Sequence, residues 1–427
     1  MATKHLIIGA GKAALNALEE IRRVTAEDEV KLVSMEDCPP YSPAALIYLL
    51  SGRITEAELW MKDENYLRNL RGDLVMGKEV TRILPEKKKV IYHDRSSENY
   101  DTLLIASGSE PIRPPIEGLA ETEVHDFRTL ADCRHLLREL RSKQDVAILG
   151  AGMMGMKIAA ALLERGCQVS VIEKEQNVLP LHFNEEAAVY IRDIFVDHKA
   201  YFFTSKAVIA LKKKDEKIRI ALSDGSSLDA DVLINATGVK SRVSFLEGTG
   251  VRISDGVLVD RRMSTGVDHI YAAGDVAEAQ DFFTGKPKMN AIIPSAIRQG
   301  RVAGANMVGM DAEYEGGIPM AAFNFMGNQA FSIGLCTLQD KAGQVLKQKD
   351  DQKRRFRKLI FDGDRLIGGM FLNEKIDPGV ILYLIKERVD LASHKEALFE
   401  GKKPLSDPWL SSLKFSPLVR KKSLKEV

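Results

Sequence analysis

The stretch His5-Leu-Ile-Ile-Gly-Ala-Gly-Lys-Ala-Ala-Leu15 decides the fold. Leu6, Ile7 and Ile8 form a short apolar run, the pattern of a strand buried on both faces in a parallel sheet. Gly9, Gly11 and Ala14 follow at the spacing G-x-G-x-x-G/A, and Ala13 to Arg23 reads as an amphipathic helix. Gly9 permits a tight strand-to-helix turn, and Gly11 lets a pyrophosphate approach the backbone. Ala14 is small enough for the helix to pack on the strand, and the helix N-terminus attracts the phosphates. Val30-Lys-Leu-Val-Ser-Met35 reads as the second strand and ends at Glu36, 27 residues after Gly9. An acid at that strand end can bind ribose hydroxyls, although the usual offset is ~20 residues.

Working outward, a chain of 427 residues exceeds the ~250–300 that one hydrophobic core supports, so two or three domains are expected. Hydrophobic content of 45% and charged content of 28% are ordinary for a globular protein. A net charge of +1 gives no reason to invoke nucleic acid or an acidic membrane surface. No apolar run approaches the ~18 residues of a membrane span. The first strand begins by about residue 5, which leaves no room for a signal peptide. Cys38, Cys133, Cys167 and Cys336 are far apart, without C-x-x-C or C-x₄-C. This excludes a local redox disulfide, an iron–sulfur site or a cysteine zinc site, and no metal is expected. The expected setting is a reducing cytoplasm.

After Glu36 comes the loop Asp-Cys-Pro-Pro-Tyr-Ser-Pro43, then an apolar helical run to Leu50 that stops at Gly52. Trp60 to Leu70 reads as a helix, and Val75 to Ile83 and Lys89 to His93 as strands. Tyr100-Asp-Thr-Leu-Leu-Ile-Ala-Ser-Gly108 is a buried strand ending in a small-residue turn at Ala106, Ser107 and Gly108. Pro111, Pro114, Pro115 and Gly118 make a stiff connector, the first candidate domain boundary.

A second glycine-rich unit follows. In Val146-Ala-Ile-Leu-Gly-Ala-Gly-Met-Met-Gly155, residues Gly150, Gly152 and Gly155 hold the full G-x-G-x-x-G spacing. Met156 to Arg165 reads as the helix and Gln168 to Ile172 as the next strand. Glu173 ends it, 23 residues after Gly150. An acid there accepts hydrogen bonds from both ribose hydroxyls and repels a 2′-phosphate, which favours NAD(H) over NADP(H). Lys174 weakens that discrimination. Leu228-Asp-Ala-Asp-Val-Leu-Ile-Asn-Ala-Thr-Gly238 repeats the strand-and-small-turn pattern, ending at Gly238. Val257 to Asp260 is a short strand, and His269-Ile-Tyr-Ala-Ala-Gly-Asp-Val276 is a strand that places Gly274 and Asp275 at its end. Pro294 to Val308 reads as a helix. From Glu315 onward the pattern changes to short strands (Ala330 to Leu335, Lys358 to Phe361, Leu366 to Leu372) and a helix from Pro378 to Arg388, a separate α+β domain.

As a set, the two dinucleotide loops, the two Ala-x-Gly turns and the terminal Ala-Ala-Gly-Asp resemble the two-dinucleotide flavoproteins. These are the pyridine nucleotide–disulfide oxidoreductases and their disulfide-free relatives of ferredoxin-, rubredoxin- and nitrite-reductase type. The resemblance implies an α/β fold with two Rossmann-like domains, one for FAD and one for NAD(H), plus a smaller α+β C-terminal domain. It implies boundaries at 1–112 (FAD-binding, first part), 113–243 (NAD-binding), 244–312 (FAD-binding, second part) and 313–427 (C-terminal domain and tail). The first loop is then the FAD loop, with Glu36 on the ribose and Asp275 on the ribityl chain. Ala106-Ser-Gly108 stands where the family has Ala-Thr-Gly. The helix beginning near Pro294-Ser295-Ala296 aims backbone donors at the charge that reduced flavin carries.

Two departures stand out. Cys38 is the one cysteine near the expected flavin face, but only two residues after Glu36, an offset that does not match the single-cysteine relatives. Lys157 stands where the family has a glutamate that positions the nicotinamide. Asp340 to Lys358 holds eight basic and three acidic residues, either a solvated face or a docking patch for an acidic electron carrier. His182 reads as a loop residue. The tail, with Lys402-Lys403-Pro404, Trp409, Leu410, Phe415, Leu418 and Arg420-Lys-Lys422, has more apolar residues than a free tail uses.

The expected function is an FAD-dependent NAD(H) oxidoreductase that exchanges electrons with a redox protein, an iron–sulfur protein or subunit in particular, with a homodimer as a candidate state. One alternative is the NAD-coupling flavin subunit of a larger iron–sulfur 2-oxoacid oxidoreductase, similar to that of phenylglyoxylate dehydrogenase-type enzymes. Others are an NADH oxidase or peroxidase working through Cys38, and a non-catalytic nucleotide-sensing flavoprotein.

Overall fold

A computed structural model describes residues 2–61, 64–336 and 343–400. The charged and apolar tail positions beyond Glu400, and Asp340 to Ala342 of the basic segment, lie outside the described residues.

The opening strand, Lys4–Ile8, is the centre of a five-stranded sheet. Its neighbours are Glu29–Val33 on one side and Thr102–Ile105 on the other, flanked by Gly72–Val75 and Ile270–Ala272. Every pairing is parallel. Thr102–Ile105 is buried at all four positions, as the unbroken apolar run demands of a strand with helices on both faces. The second unit repeats this plan. Asp145–Leu149 lies between Gln168–Ile172 and Val232–Asn235, with Tyr201–Phe203 and His125–Asp126 at the edges, again all parallel. Two Rossmann-like sheets are thus present, as the paired loops imply.

The two sheets lie in one compact unit, residues up to 180 together with 191–319. Their connectors run side by side: Ser109–Pro111 follows the first Ala-x-Gly turn, Val239–Ser241 follows the second, and they pair antiparallel. The helix Leu46–Ser51, which ends at Gly52 as read, is tied to the helix Met153–Glu164. Arg165 donates to the Leu50 carbonyl at 3.0 Å, and Arg53 Nε to Glu164 at 3.1 Å.

The helix Ile293–Met307 packs on Lys12–Val24 backbone to backbone. A Cβ on Gly300 would sit 2.2 Å from the Ala13 carbonyl oxygen. Helix propensity alone favours Gly300→Ala by ~1 kcal/mol. The overlap reverses the sign, because the helices must separate, at about 1–3 kcal/mol. Gly300→Ala is expected to lower the melting temperature.

Residues 181–190 and those from 320 onward form the other unit. Its sheet is antiparallel, in the order Met320–Phe325, Asn328–Gly334, Arg365–Leu372, Arg355–Asp362, Gln344–Asp350. The helix Pro378–Lys386 begins after Asp377, whose side chain caps Gly379 and Val380. Here four cations of the basic run are paired. Lys347 pairs with Glu186 at 2.9 Å, Lys349 with Asp351 at 3.5 Å, and Arg355 and Arg357 both reach Glu374. Lys358 is buried. A solvated, internally paired face describes this segment. His182 is a loop residue whose carbonyl accepts from Cys336.

Several elements lacked a sequence signal. The meander Val208–Lys214, Lys217–Leu222, Ser227–Ala230 and the helix Leu130–Glu139 were not apparent. The helix read from Trp60 is confined to Glu64–Asn69 among the described residues.

Candidate functional site

The two glycine loops have the same internal geometry. Gly9 donates to the Val33 carbonyl at 2.8 Å, and Ala106 donates to Ile8 at 2.8 Å. In the second loop Gly150 donates to Ile172 at 2.7 Å and Ala236 to Leu149 at 2.8 Å. Each loop therefore sits where the chain leaves the central strand for opposite sides of the sheet, the crevice in which open α/β sheets bind nucleotides. Gly9 has φ +117° and Gly150 φ +100°, and a Cβ on Gly9 would stand 2.2 Å from the Ala106 oxygen. Gly155 presses on the second loop, since its Cβ would meet the Gly150 oxygen at 2.0 Å.

Gly11 and Gly152 behave differently. They are the N-caps of Lys12–Val24 and Met153–Glu164, in ordinary extended backbone. Neither helix start has a side-chain cap, and a Cβ on either glycine would meet nothing within 4 Å. Backbone donors facing open space at the positive end of a helix dipole suit a pyrophosphate. Ala14 is fully buried under the first helix.

Around the first loop the structure gathers the remaining candidates. A Cβ on Gly274 would stand 3.1 Å from that of Ala13, and its N–H donates to Gln299 Oε1 at 2.8 Å. Asp275 follows. Its Oδ2 accepts from Arg128 Nη2 at 3.2 Å and from Ser109 Oγ at 3.4 Å. Ser107 Oγ donates to the Arg242 carbonyl at 2.9 Å, and Gly108 accepts from Arg242 N–H at 3.0 Å. Ser295 and Ala296 are buried in the first turn of their helix, with Asn290 donating to Ser295 Oγ at 3.0 Å. Glu36 accepts from the Tyr41 hydroxyl at 2.6 Å, and that hydroxyl accepts from Leu130 N–H at 2.8 Å. Tyr41 thus ties the Pro-Pro-Tyr-Ser-Pro loop to the start of the Leu130–Glu139 helix. Burial, then Glu36, pushes its hydroxyl well above the ordinary tyrosine range. Arg128 and Gln299 carry no motif signal, because Asp275 and Gly274 are remote from them in sequence. Tyr41 lies in the Pro-Pro-Tyr-Ser-Pro loop close to Glu36, and only its reach to Leu130 is hidden from the sequence.

At the second loop Glu173 is buried. Its two oxygens accept from Ala151 N–H at 2.6 Å and Glu175 N–H at 3.0 Å, so the acid braces the loop that it follows. Lys174 turns to solvent beside Glu175 at 3.9 Å. Gly238 has φ +130° and accepts from Ile112 N–H at 3.0 Å, between the connectors.

The two catalytic candidates fare differently. Burial, then Glu36, pushes the Cys38 thiol up to about 11. It is therefore protonated near neutral pH, the reverse of what a redox cysteine requires. Glu36 outweighs Arg134 around this thiol, which disfavours the redox role weighed for Cys38 and favours a plain loop cysteine. Cys38→Ser is expected to leave NADH turnover within about twofold of the parent under steady-state assay. Lys157 is half-buried in the helix Met153–Glu164, and burial holds its ammonium below the ordinary lysine value. Among the described residues it pairs with no acid, so the reading of Lys157 as half of a structural ion pair gains no support.

No helix among the described residues is long and apolar enough to cross a membrane.

The profile of the family described as pyridine nucleotide-disulphide oxidoreductase matches residues 3–300. The NADH-dependent phenylglyoxylate dehydrogenase subunit epsilon of Aromatoleum evansii is 34% identical over 415 residues, covering 95% of this chain and 98% of that protein. An NADH oxidase of Methanocaldococcus jannaschii is 31% identical, covering 88% and 89%. Among solved structures, a covalent putidaredoxin reductase–putidaredoxin complex superposes with a TM-score of 0.87 at 20% identity, over 97% of this chain and 100% of that one.

Proposed function

The chain belongs to the pyridine nucleotide-disulphide oxidoreductase family, and from that premise we propose that it is an FAD- and NADH-dependent oxidoreductase whose electrons pass to or from a separate redox protein. The observation that carries the reading is the pair of like-bonded glycine loops in one compact unit, each with an uncapped helix start facing open space. FAD, when bound, supplies a carrier that exchanges a hydride with nicotinamide and passes electrons onward.

This chain's residues hold and orient. Gly9, Gly11 and the Lys12–Val24 helix start receive the FAD pyrophosphate, and Glu36, steadied by Tyr41, takes the adenosine ribose. Asp275, held by Arg128 and Ser109, would take the ribityl chain of FAD, while Gly274 is pinned by Gln299. Ala106, Ser107 and Gly108 shape the turn beneath the first site, and Ser295 and Ala296 present the start of their helix. Gly150, Gly152, Gly155 and Gly238 line the NADH site, with Glu173 bracing the loop. The four cysteines form no disulfide, which supports onward transfer through an external carrier.

A second reading is favoured by the alignment with the phenylglyoxylate dehydrogenase subunit, which spans nearly the whole of both chains. In that reading the chain is the NAD-coupling flavin subunit of a larger iron–sulfur assembly. Anaerobic rapid mixing with NADH tests the common core: bleaching of the flavin band on a turnover timescale is expected, and a colourless protein that refuses FAD overturns it. Native purification then separates the two readings. Co-elution with iron–sulfur polypeptides supports the subunit, and a lone species with full dye-reductase activity supports the free-standing enzyme.

A further inference from the structure

Three side chains that play no part in the dinucleotide sites converge at the edge of the second sheet. His125 lies in the edge strand His125–Asp126 and is buried. His135 projects from the helix Leu130–Glu139, and Glu123 from the loop before the strand. Their ligand-capable atoms all lie within 4.8 Å of one another. The two imidazoles meet edge to face with centroids 4.9 Å apart, and His135 Nε2 stands 3.3 Å from Glu123 Oε1.

We propose that Glu123, His125 and His135 form a binding site for a divalent transition metal of the zinc class. Two imidazoles and one carboxylate are a donor set that zinc accepts, and nitrogen donors argue against magnesium or calcium. A tetrahedral zinc at ~2.0–2.2 Å from each ligand needs ligand atoms roughly 3.3–3.5 Å apart. The pair at 3.3 Å already meets this, and the third closes the remaining gap by rotation of Glu123 and His135, which are 65% and 47% exposed. A surface ion pair would account for Glu123 and His135 alone. It leaves unexplained a buried imidazole turned into the same point.

The elements that present the histidines are rigid. The edge strand is paired with Val232–Asn235. The helix begins in a capping box, with Asp132 N–H donating to Thr129 Oγ1 at 3.1 Å and Thr129 N–H to Asp132 Oδ2 at 2.8 Å. Glu139 follows one helical turn beyond His135, and a zinc held by three protein ligands takes water as its fourth. The site brackets Arg128, so an ion there clamps the segment that presents the guanidinium to Asp275.

The test uses tag-free, flavin-loaded protein stripped with a chelator and titrated with Zn²⁺ against a chromophoric competitor. One zinc per chain is expected, with a Kd of about 1 μM or tighter, and with a rise in melting temperature on loading. His135→Ala and Glu123→Gln, both at exposed positions, should each weaken binding at least tenfold and abolish the thermal shift, whereas His93→Ala should do neither. Their melting temperatures without zinc verify that both variants fold. No retained zinc in the parent, or equal binding by the parent and His135→Ala, overturns the proposal. Either result leaves the flavin assignment untouched.

Discussion

Gly11→Asp is expected to fold at least as well as the parent chain and to purify colourless. Gly11 is an N-cap in extended backbone, where any residue fits, and a Cβ there meets nothing within 4 Å. Aspartate is a good N-cap, so the unliganded protein loses no stability and gains a few tenths of a kcal/mol over glycine. The same carboxylate occupies the space in front of the helix start and repels a pyrophosphate. Loss of the helix donors together with like-charge repulsion is worth about 3 kcal/mol or more, roughly a hundredfold in FAD affinity. Gly152→Asp makes the same exchange in the second loop, where φ is −70° and the space is equally open. That variant should remain yellow while anaerobic reduction by NADH slows or requires about a hundredfold more NADH. Calorimetry of the flavin-free proteins, flavin content and rapid mixing together read the pair. If Gly11→Asp kept its FAD, or if Gly152→Asp lost it, the assignment of the two loops would be wrong.

Glu173→Ala should cost stability even without nucleotide. In the intact chain both carboxylate oxygens are engaged by backbone donors, Ala151 N–H and Glu175 N–H, and the residue is 7% exposed. Truncation leaves two donors without their acceptor in a poorly hydrated place, at about 1–3 kcal/mol each. A residue whose sole task was to bind ribose would show no such loss. The expected result is a melting temperature several degrees lower for the NADH-free protein, accompanied by weaker NADH binding because Ala151 belongs to the loop. Unchanged thermal stability with impaired NADH binding would return Glu173 to a purely ligand-facing role.

The two positions show how far pattern reading extends. Gly9, Gly11, Gly150, Gly152 and Gly155 were legible because each acts within its own strand–turn–helix, where spacing in sequence is spacing in space. Glu36 and Glu173 were legible as acids at strand ends, but what their oxygens touch was not. Tyr41 and the Ala151 N–H are brought to them by loops whose course no periodicity describes. The surroundings of Cys38 were hidden for a related reason. A thiol's reactivity depends on its surrounding charge and burial, and here the nearest influential charge is Glu36. The basic segment likewise left a solvated face and a docking patch open, and the pairing of Lys347 with Glu186 and of Arg357 with Glu374 favours the former.

By itself, then, the sequence determined the two Rossmann-like units and the glycines that let a nucleotide approach. Those are consequences of backbone geometry and of apolar runs that must be buried on both faces. Only the tertiary structure decided that Arg128 reaches Asp275 across 147 residues of chain, that Gln299 pins Gly274, that Glu123, His125 and His135 share one point, and that the two Ala-x-Gly connectors pair as a ribbon. Contacts of that kind are set by how closed sheets and helices meet. A short, exposed or isolated residue carries no local trace of which partner packing will bring to it.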